Sequence, residues 1–318
     1  MALIALGAAP FPSLAQQQDK VWRIGCVWIA TQKLVKPYED SVLAGLHEHG
    51  YDVGRNLVFE ARYADGDARR LPALIDELIS LQPDVLLGIG QSAALMKARP
   101  SRIPIVVTLG LDPVESGLAK SLSHPGGNVT GIATLYEELV AKQIEILGEL
   151  VPKLSSIALL SDASDPAAPR YTEYAQKGAR LRRASLVSIP VRDQAGIEAA
   201  FAQFRKKRPD GLMVALSGTL YSFRDAILRG ASALRLPALY PFEGFVDAGG
   251  LVSYAENLFV AYRRSGAFVD RIFRGANPAD LPFEQPVKFQ LAINLPAAKA
   301  LGLVVPQSVL LRADRVIE

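Results

Sequence analysis

Cysteine is almost missing from this chain: 318 residues contain one, Cys26. No intramolecular disulfide can form, so stability has to come from core packing. Cys26 itself sits in the apolar run RIGCVWIA (23–30) and reads as a core residue, not a nucleophile. Histidine is scarce too. His47 and His49 stand two apart on one expected helix and His124 lies far along the chain, a spacing that offers no shared metal ligation. Neither sign of charge dominates, since 35 Lys and Arg face 32 Asp and Glu in scattered order, which argues against nucleic acid as a partner. No apolar run after the N-terminus approaches the roughly 18–20 residues of a membrane span. The chain also lacks a G-x-S-x-G elbow, a phosphate-binding GxxxxGK[ST] loop and a credible Cys–His pair, and Gly88 and Gly90 supply G-x-G without a third glycine. Catalysis, metal and cofactor therefore find no support in the sequence.

What is present is a globular composition, 50% hydrophobic and 21% charged, over a length that suits two domains of ordinary size. Residues 1–15 are apolar and uncharged, and they end in Ser13-Leu14-Ala15 before a polar run. That pattern predicts the remnant of a secretory signal peptide, hence export to the periplasm, although the basic start of such a signal is missing. From Val21 onward, short apolar runs alternate with amphipathic segments, as parallel strands joined by crossover helices do. The alternation breaks at SHPGGNVTG (123–131) and begins again. The fold class expected is α/β: two Rossmann-like lobes with parallel sheets, joined by a multi-stranded hinge. One lobe comprises 20–132 with 257–284, the other 133–256 with 285–318, and a single helix is expected over Tyr221 to Leu234.

In open α/β sheets ligands bind beyond the carboxyl ends of the strands, so the residues just after each apolar run are the candidates. Trp28 and Thr31 follow the first strand, where the indole is either an aromatic wall or core. Gln91 and Ser92 open a helix after DVLLGIG; Ser92 either caps that helix or helps hold an anion there. Asp112 either accepts from a ligand or caps the helix that Pro113 opens. In the second half Ser164, Asp165 and Thr219 occupy equivalent strand ends. Tyr136, Phe242 and Tyr254 are candidates to close on a ring, alongside Tyr221, and Glu243 is a second acid for a cationic group.

Two stretches carry a resemblance: DPVESGLAKSLSHPGGNVTG (112–131) and PADLPFEQPVKFQLAINLPAAKALGL (278–303). With the intervening chain they resemble the ABC-transporter substrate-binding proteins of the tryptophan-binding-like family, over about Val21 to Glu318. The resemblance implies a type I periplasmic binding fold that delivers a small organic solute, an aromatic amino acid or related acid, to a membrane permease. It implies a pocket at Trp28 to Thr31, Gln91, Ser92, Asp112, Ala163 to Asp165, Thr219 and Tyr254. This chain departs from the family at SDASDPAAP (161–169) and SGTLYSF (217–223), on the face that would read an amine, which admits an aromatic acid without an amino group. A monomer is expected, with no cofactor. The rival readings are a ligand-sensing receptor module of the same fold and a doubly wound enzyme.

Overall fold

The computed structural model describes residues 20–109, 112–134, 136–285 and 289–318. The signal-peptide reading of residues 1–15 lies outside them. The first lobe is built on strands β1 (Trp22–Trp28), β2 (Leu57–Tyr63), β3 (Val85–Ile89), β4 (Ile105–Leu109) and β5 (Val129–Gly131). Their order is β2-β1-β3-β4-β5, parallel throughout. Helices α1 (Gln32–Glu48), α2 (Leu71–Ser80) and α3 (Ser92–Lys97) connect them. Buried apolar runs such as Gly25 to Trp28 in β1 are what a sheet covered on both faces requires.

The second lobe alternates α4 (Tyr136–Leu150), β6 (Ser156–Asp162), α5 (Ala168–Leu181), β7 (Ser185–Val191), α6 (Gln194–Lys206), β8 (Gly211–Val214), α7 (Gly218–Ser222), α8 (Arg224–Ala233), β9 (Ala238–Tyr240), α9 (Glu243–Asp247) and β10 (Val252–Glu256). The chain then returns to the first lobe as α10 (Leu258–Phe273) and comes back as β11 (Phe289–Asn294), α11 (Leu295–Ala300), α12 (Gln307–Leu310) and β12 (Arg315–Ile317). The second sheet runs β12-β11-β10-β9-β8-β6-β7. It departs from all-parallel at one place, where β10 and β11 pair antiparallel with Glu256 opposite Phe289. The reason is topological: β10 leaves the lobe at the hinge and β11 re-enters there, so the two must run in opposite directions. Pro190 is tolerated because β7 is an edge strand.

Local signals set several boundaries. Asp193, Asn257 and Asn294 accept hydrogen bonds from the backbone N–H groups of Gly196, Val260 and Ala297, capping α6, α10 and α11. The single helix expected over Tyr221 to Leu234 is two, α7 and α8, broken at Phe223. Its true start is Ser217, whose hydroxyl accepts from Thr219 N and Leu220 N at 3.1 and 3.2 Å. Pro37 lies inside α1. Against α1 packs α10, backbone to backbone: a Cβ on Gly45 would meet the Arg263 carbonyl oxygen at 2.0 Å.

Three crossings join the lobes, and hydrogen bonds tie them together. Ala133 N donates to the Glu284 carbonyl (2.8 Å) and Glu284 N to the Gly131 carbonyl (2.9 Å). Thr134 Oγ1 donates to Glu256 Oε2 at 3.3 Å. Connections linked in this way bend together, as a hinge does.

Candidate functional site

In each sheet the strand order reverses once, between β1 and β3 in the first and between β6 and β8 in the second. Crevices at such switch points are where open α/β sheets take ligands. Here the two face each other across one cavity between the lobes. From the first lobe come Trp28, Ile29 and Ala30 after β1, Val35 and Tyr38 on α1, Ile89 to Gln91 after β3, and Leu258 and Tyr262 on α10; from the second come Tyr136, Asp165, Leu216 to Gly218, Tyr221 and Phe242. The wall is largely aromatic. Trp28 lies tilted on Tyr262 with ring centres 5.3 Å apart, Tyr38 lies 5.5 Å from Tyr262, and Phe242 meets Tyr221 edge-on at 5.2 Å. Across the cleft the hydroxyls of Tyr38 and Tyr221 stand 3.5 Å apart.

The polar groups in this wall are few. Asp162 anchors the second-lobe side: its carboxylate accepts from Ser217 Oγ (2.7 Å) and from Ser164 N (2.8 Å), joining the ends of β6 and β8. Asp165 accepts from Ala167 N at 2.9 Å and makes no ion pair among the described residues. Burial pushes its pKa up to about 6, with the neighbouring Asp162 charge adding to the rise and the Ala167 N–H opposing it. Among the described residues no Lys, Arg or His lines the cavity. The buried indole Nε1 of Trp28 has no hydrogen-bond partner among the described residues, nor has Thr219 Oγ1. Behind the wall, burial lifts Glu256 to about 7 against the Thr134 hydrogen bond that lowers it.

Six of the residues singled out from the sequence meet in this cavity: Trp28, Gln91, Tyr136, Asp165, Tyr221 and Phe242. Asp112 lines an adjoining outer chamber, and its Oδ1 accepts from Val114 N and Glu115 N, both at 2.9 Å. Six others are placed elsewhere. Thr31 precedes α1, where its carbonyl accepts from Leu34 N and Val35 N. Ser92 turns its hydroxyl back to Ile89, accepting from N at 2.8 Å and donating to O at 2.9 Å. Ser164 Oγ donates to Asp162. Thr219 is buried on α7 outside the lining. Glu243 starts α9 and faces Arg315 at 3.8 Å. Tyr254 stacks on Phe289 across the β10–β11 pair, with ring centres 5.7 Å apart. In the other direction, Tyr38, Leu258 and Tyr262 reach the cavity from helices α1 and α10, away from the strand ends.

Residues 29–317 match the family described as ABC transporter substrate binding protein. The chain belongs to that family. It is 23% identical over 262 residues to a tyrosine-binding protein of Clostridioides difficile (strain R20291), 82% of this chain and 75% of that one. Among solved structures, it resembles a conserved domain protein from Vibrio cholerae O1 biovar eltor with a TM-score of 0.87 at 26% identity, covering 93% of this chain and 100% of the other. It also resembles an ABC domain from Streptococcus pneumonia in complex with L-Trp, with a TM-score of 0.85 at 23% identity over 93% and 99% of the two chains. The fold is thus the type I periplasmic binding fold. No described helix of this substrate-binding protein is long and apolar enough to cross a membrane.

Proposed function

We propose that this chain is the exported receptor of an ABC uptake system: a periplasmic monomer that captures a small aromatic solute bearing an ammonium group and passes it, chemically unchanged, to a membrane permease. Aromatic amino acids are the class best supported. The observation that carries the reading is Asp165, a carboxylate that, among the described residues, has no ionic partner and shares its aromatic cavity with no basic side chain. An ammonium about 4 Å from such a carboxylate gains roughly 4 kcal/mol at an effective dielectric of 20. The faces of Trp28, Tyr221 and Tyr262 attract a cation as well. An organic anion without an amine suits this lining poorly, because Asp165 repels it.

The names of the two relatives, one a tyrosine-binding protein and one a complex with L-Trp, point the same way. In this reading the bodies that close on the solute are residues 20–132 with 257–284 and residues 133–256 with 285–318, turning about the crossings at Thr130 to Thr134 and Ser253 to Asn257. A solute touching both lobes binds the closed state better and shifts the population towards it. Thermal melting with L-tryptophan, L-tyrosine and L-phenylalanine beside their deaminated acids tests the proposal. A ligand at a hundred times its dissociation constant stabilises by about 2.7 kcal/mol. Stabilisation by the amino acids alone is expected; stabilisation by the deaminated acids alone, or conversion of the bound compound, overturns it.

A further inference from the structure

The aromatic part of the cavity wall holds hydroxyls that the protein itself pairs poorly. Tyr38 and Tyr221 both line the cavity and are more than nine-tenths buried, at 6% and 7% exposure. One comes from α1 in the first lobe and the other from α7 in the second. Their oxygens stand 3.5 Å apart, whereas an O–H···O hydrogen bond spans about 2.5–3.0 Å. Among the described residues this is the only hydrogen-bond contact of the Tyr38 hydroxyl.

Burial raises the pKa of Tyr38, so its hydroxyl stays protonated and able to donate. Tyr221 has one further neighbour, Arg224 Nη1, also at 3.5 Å. A guanidinium only donates, so it leaves the Tyr221 proton without a close acceptor. Trp28, packed on the same Tyr262 ring as Tyr38, has an indole N–H with no partner among the described residues. Buried polar groups held this way are costly. A single oxygen about 2.8 Å from both tyrosine hydroxyls would satisfy the two together.

We propose that Tyr38 and Tyr221 read a hydroxyl on the solute's ring, and that the preferred ligand is an aromatic amino acid whose ring is a phenol, not a bare phenyl. This rests on the reading that Asp165 holds the ammonium group of an aromatic amino acid, and it assigns the other end of that solute. A phenol accepts from one tyrosine while it donates to the other; a phenyl ring does neither and leaves both buried hydroxyls against an apolar edge. Sites built to bond a substrate hydroxyl reject the analogue that lacks it far more strongly than an apolar pocket rejects a missing methylene. Because the two tyrosines belong to different lobes, the ring hydroxyl also favours the closed state.

Isothermal titration with L-tyrosine and L-phenylalanine tests this on the wild type, Tyr38→Phe and Tyr221→Phe. Each substitution removes one oxygen and keeps the ring. Melting of the unliganded variants checks the fold, and L-phenylalanine binding checks the rest of the site. L-Tyrosine is expected to bind the wild type about tenfold or more tightly than L-phenylalanine does. Each variant is expected to narrow that gap by about threefold or more through weaker L-tyrosine binding, with L-phenylalanine affinity kept or improved. Equal affinities in the wild type overturn the inference and leave the ammonium reading standing. A gap that survives both substitutions places the preference elsewhere and also overturns it. If neither amino acid binds, the amino-acid reading falls and this inference falls with it. Should one variant melt early, the wild-type pair and the other variant decide.

Discussion

Gly218 and Ile29 meet across the cleft so closely that a Cβ on Gly218 would stand 1.9 Å from Ile29 Cγ2. One residue starts α7 in the second lobe and the other follows β1 in the first, and both line the cavity. The closed arrangement thus depends on the missing methyl, because a β-branched neighbour has few rotamers with which to yield. Gly218→Ala is expected to wedge the lobes apart at a cost of about 1–3 kcal/mol to closure. Ligand affinity should fall roughly tenfold to a hundredfold, while small-angle scattering with ligand shows a larger radius of gyration than wild type. Wild-type affinity in this variant would mean that the lobes close without that contact.

Glu115 gives a second handle on closure, since its bonds to Arg170 and Tyr174 cross the mouth of the cleft. Exposed ion pairs contribute about 0.2–1 kcal/mol, whereas hydrogen bonds to charged groups contribute about 1.5–3 kcal/mol. A partly exposed cluster of this kind falls between them. Glu115→Gln is expected to speed ligand release by about threefold to tenfold. Stopped-flow fluorescence from Trp28, in the cavity wall, can follow the release. An unchanged off-rate would show that the bridge adds nothing to the closed state.

A buried carboxyl makes stability depend on pH. Burial raises Glu256 to about 7 in the folded protein. A carboxyl raised above its unfolded value stabilises the fold below that unfolded value, and the contribution is lost as pH rises through the folded one. Glu256→Gln removes this loss and keeps an acceptor for Thr134 Oγ1. The variant is expected to gain on the wild type by about 2–4 °C in melting temperature at pH 8 for each kcal/mol recovered, and to show no such gain at pH 5. A gain of equal size at both pH values would assign it to packing.

The alternating architecture was readable because buried parallel strands such as WRIGCVW and VLLGI are continuous apolar runs between amphipathic segments. The antiparallel β10–β11 pair was not, since nothing in YAENL or FQLAIN records which way a returning strand runs. Strand ends led to Trp28, Gln91, Tyr136, Asp165 and Phe242, as the switch-point rule directs. They also led to Ser92 and Tyr254, where a side chain next to a strand end bonds to its own backbone or stacks on the neighbouring strand. Tyr38 and Tyr262 escaped notice because a tyrosine in a helical stripe looks the same whether it meets core or cavity; only the packing of α1 on α10 decides.

The pH dependence of binding follows from Asp165. With a pKa near 6, it is ionised at pH 7.5 and largely neutral at pH 5. An ammonium ligand pairs with the ionised form, so its affinity should fall as pH drops below 6, approaching tenfold per unit. Titrations in buffers of different ionisation enthalpy should detect proton release near pH 6. A ligand whose affinity is flat from pH 5 to 8 does not use this carboxylate.

The most direct measurement is therefore titration of Asp165→Asn with the aromatic amino acid that stabilises the wild type most. Asn keeps an oxygen for Ala167 N and removes the charge, so the unliganded protein should melt no lower than wild type at pH 8. Losing the pair in a site of low effective dielectric removes about 3–4 kcal/mol, and affinity should drop by at least a hundredfold. Affinity within threefold of wild type, with melting unaltered, would contradict the account of this cavity as an ammonium site.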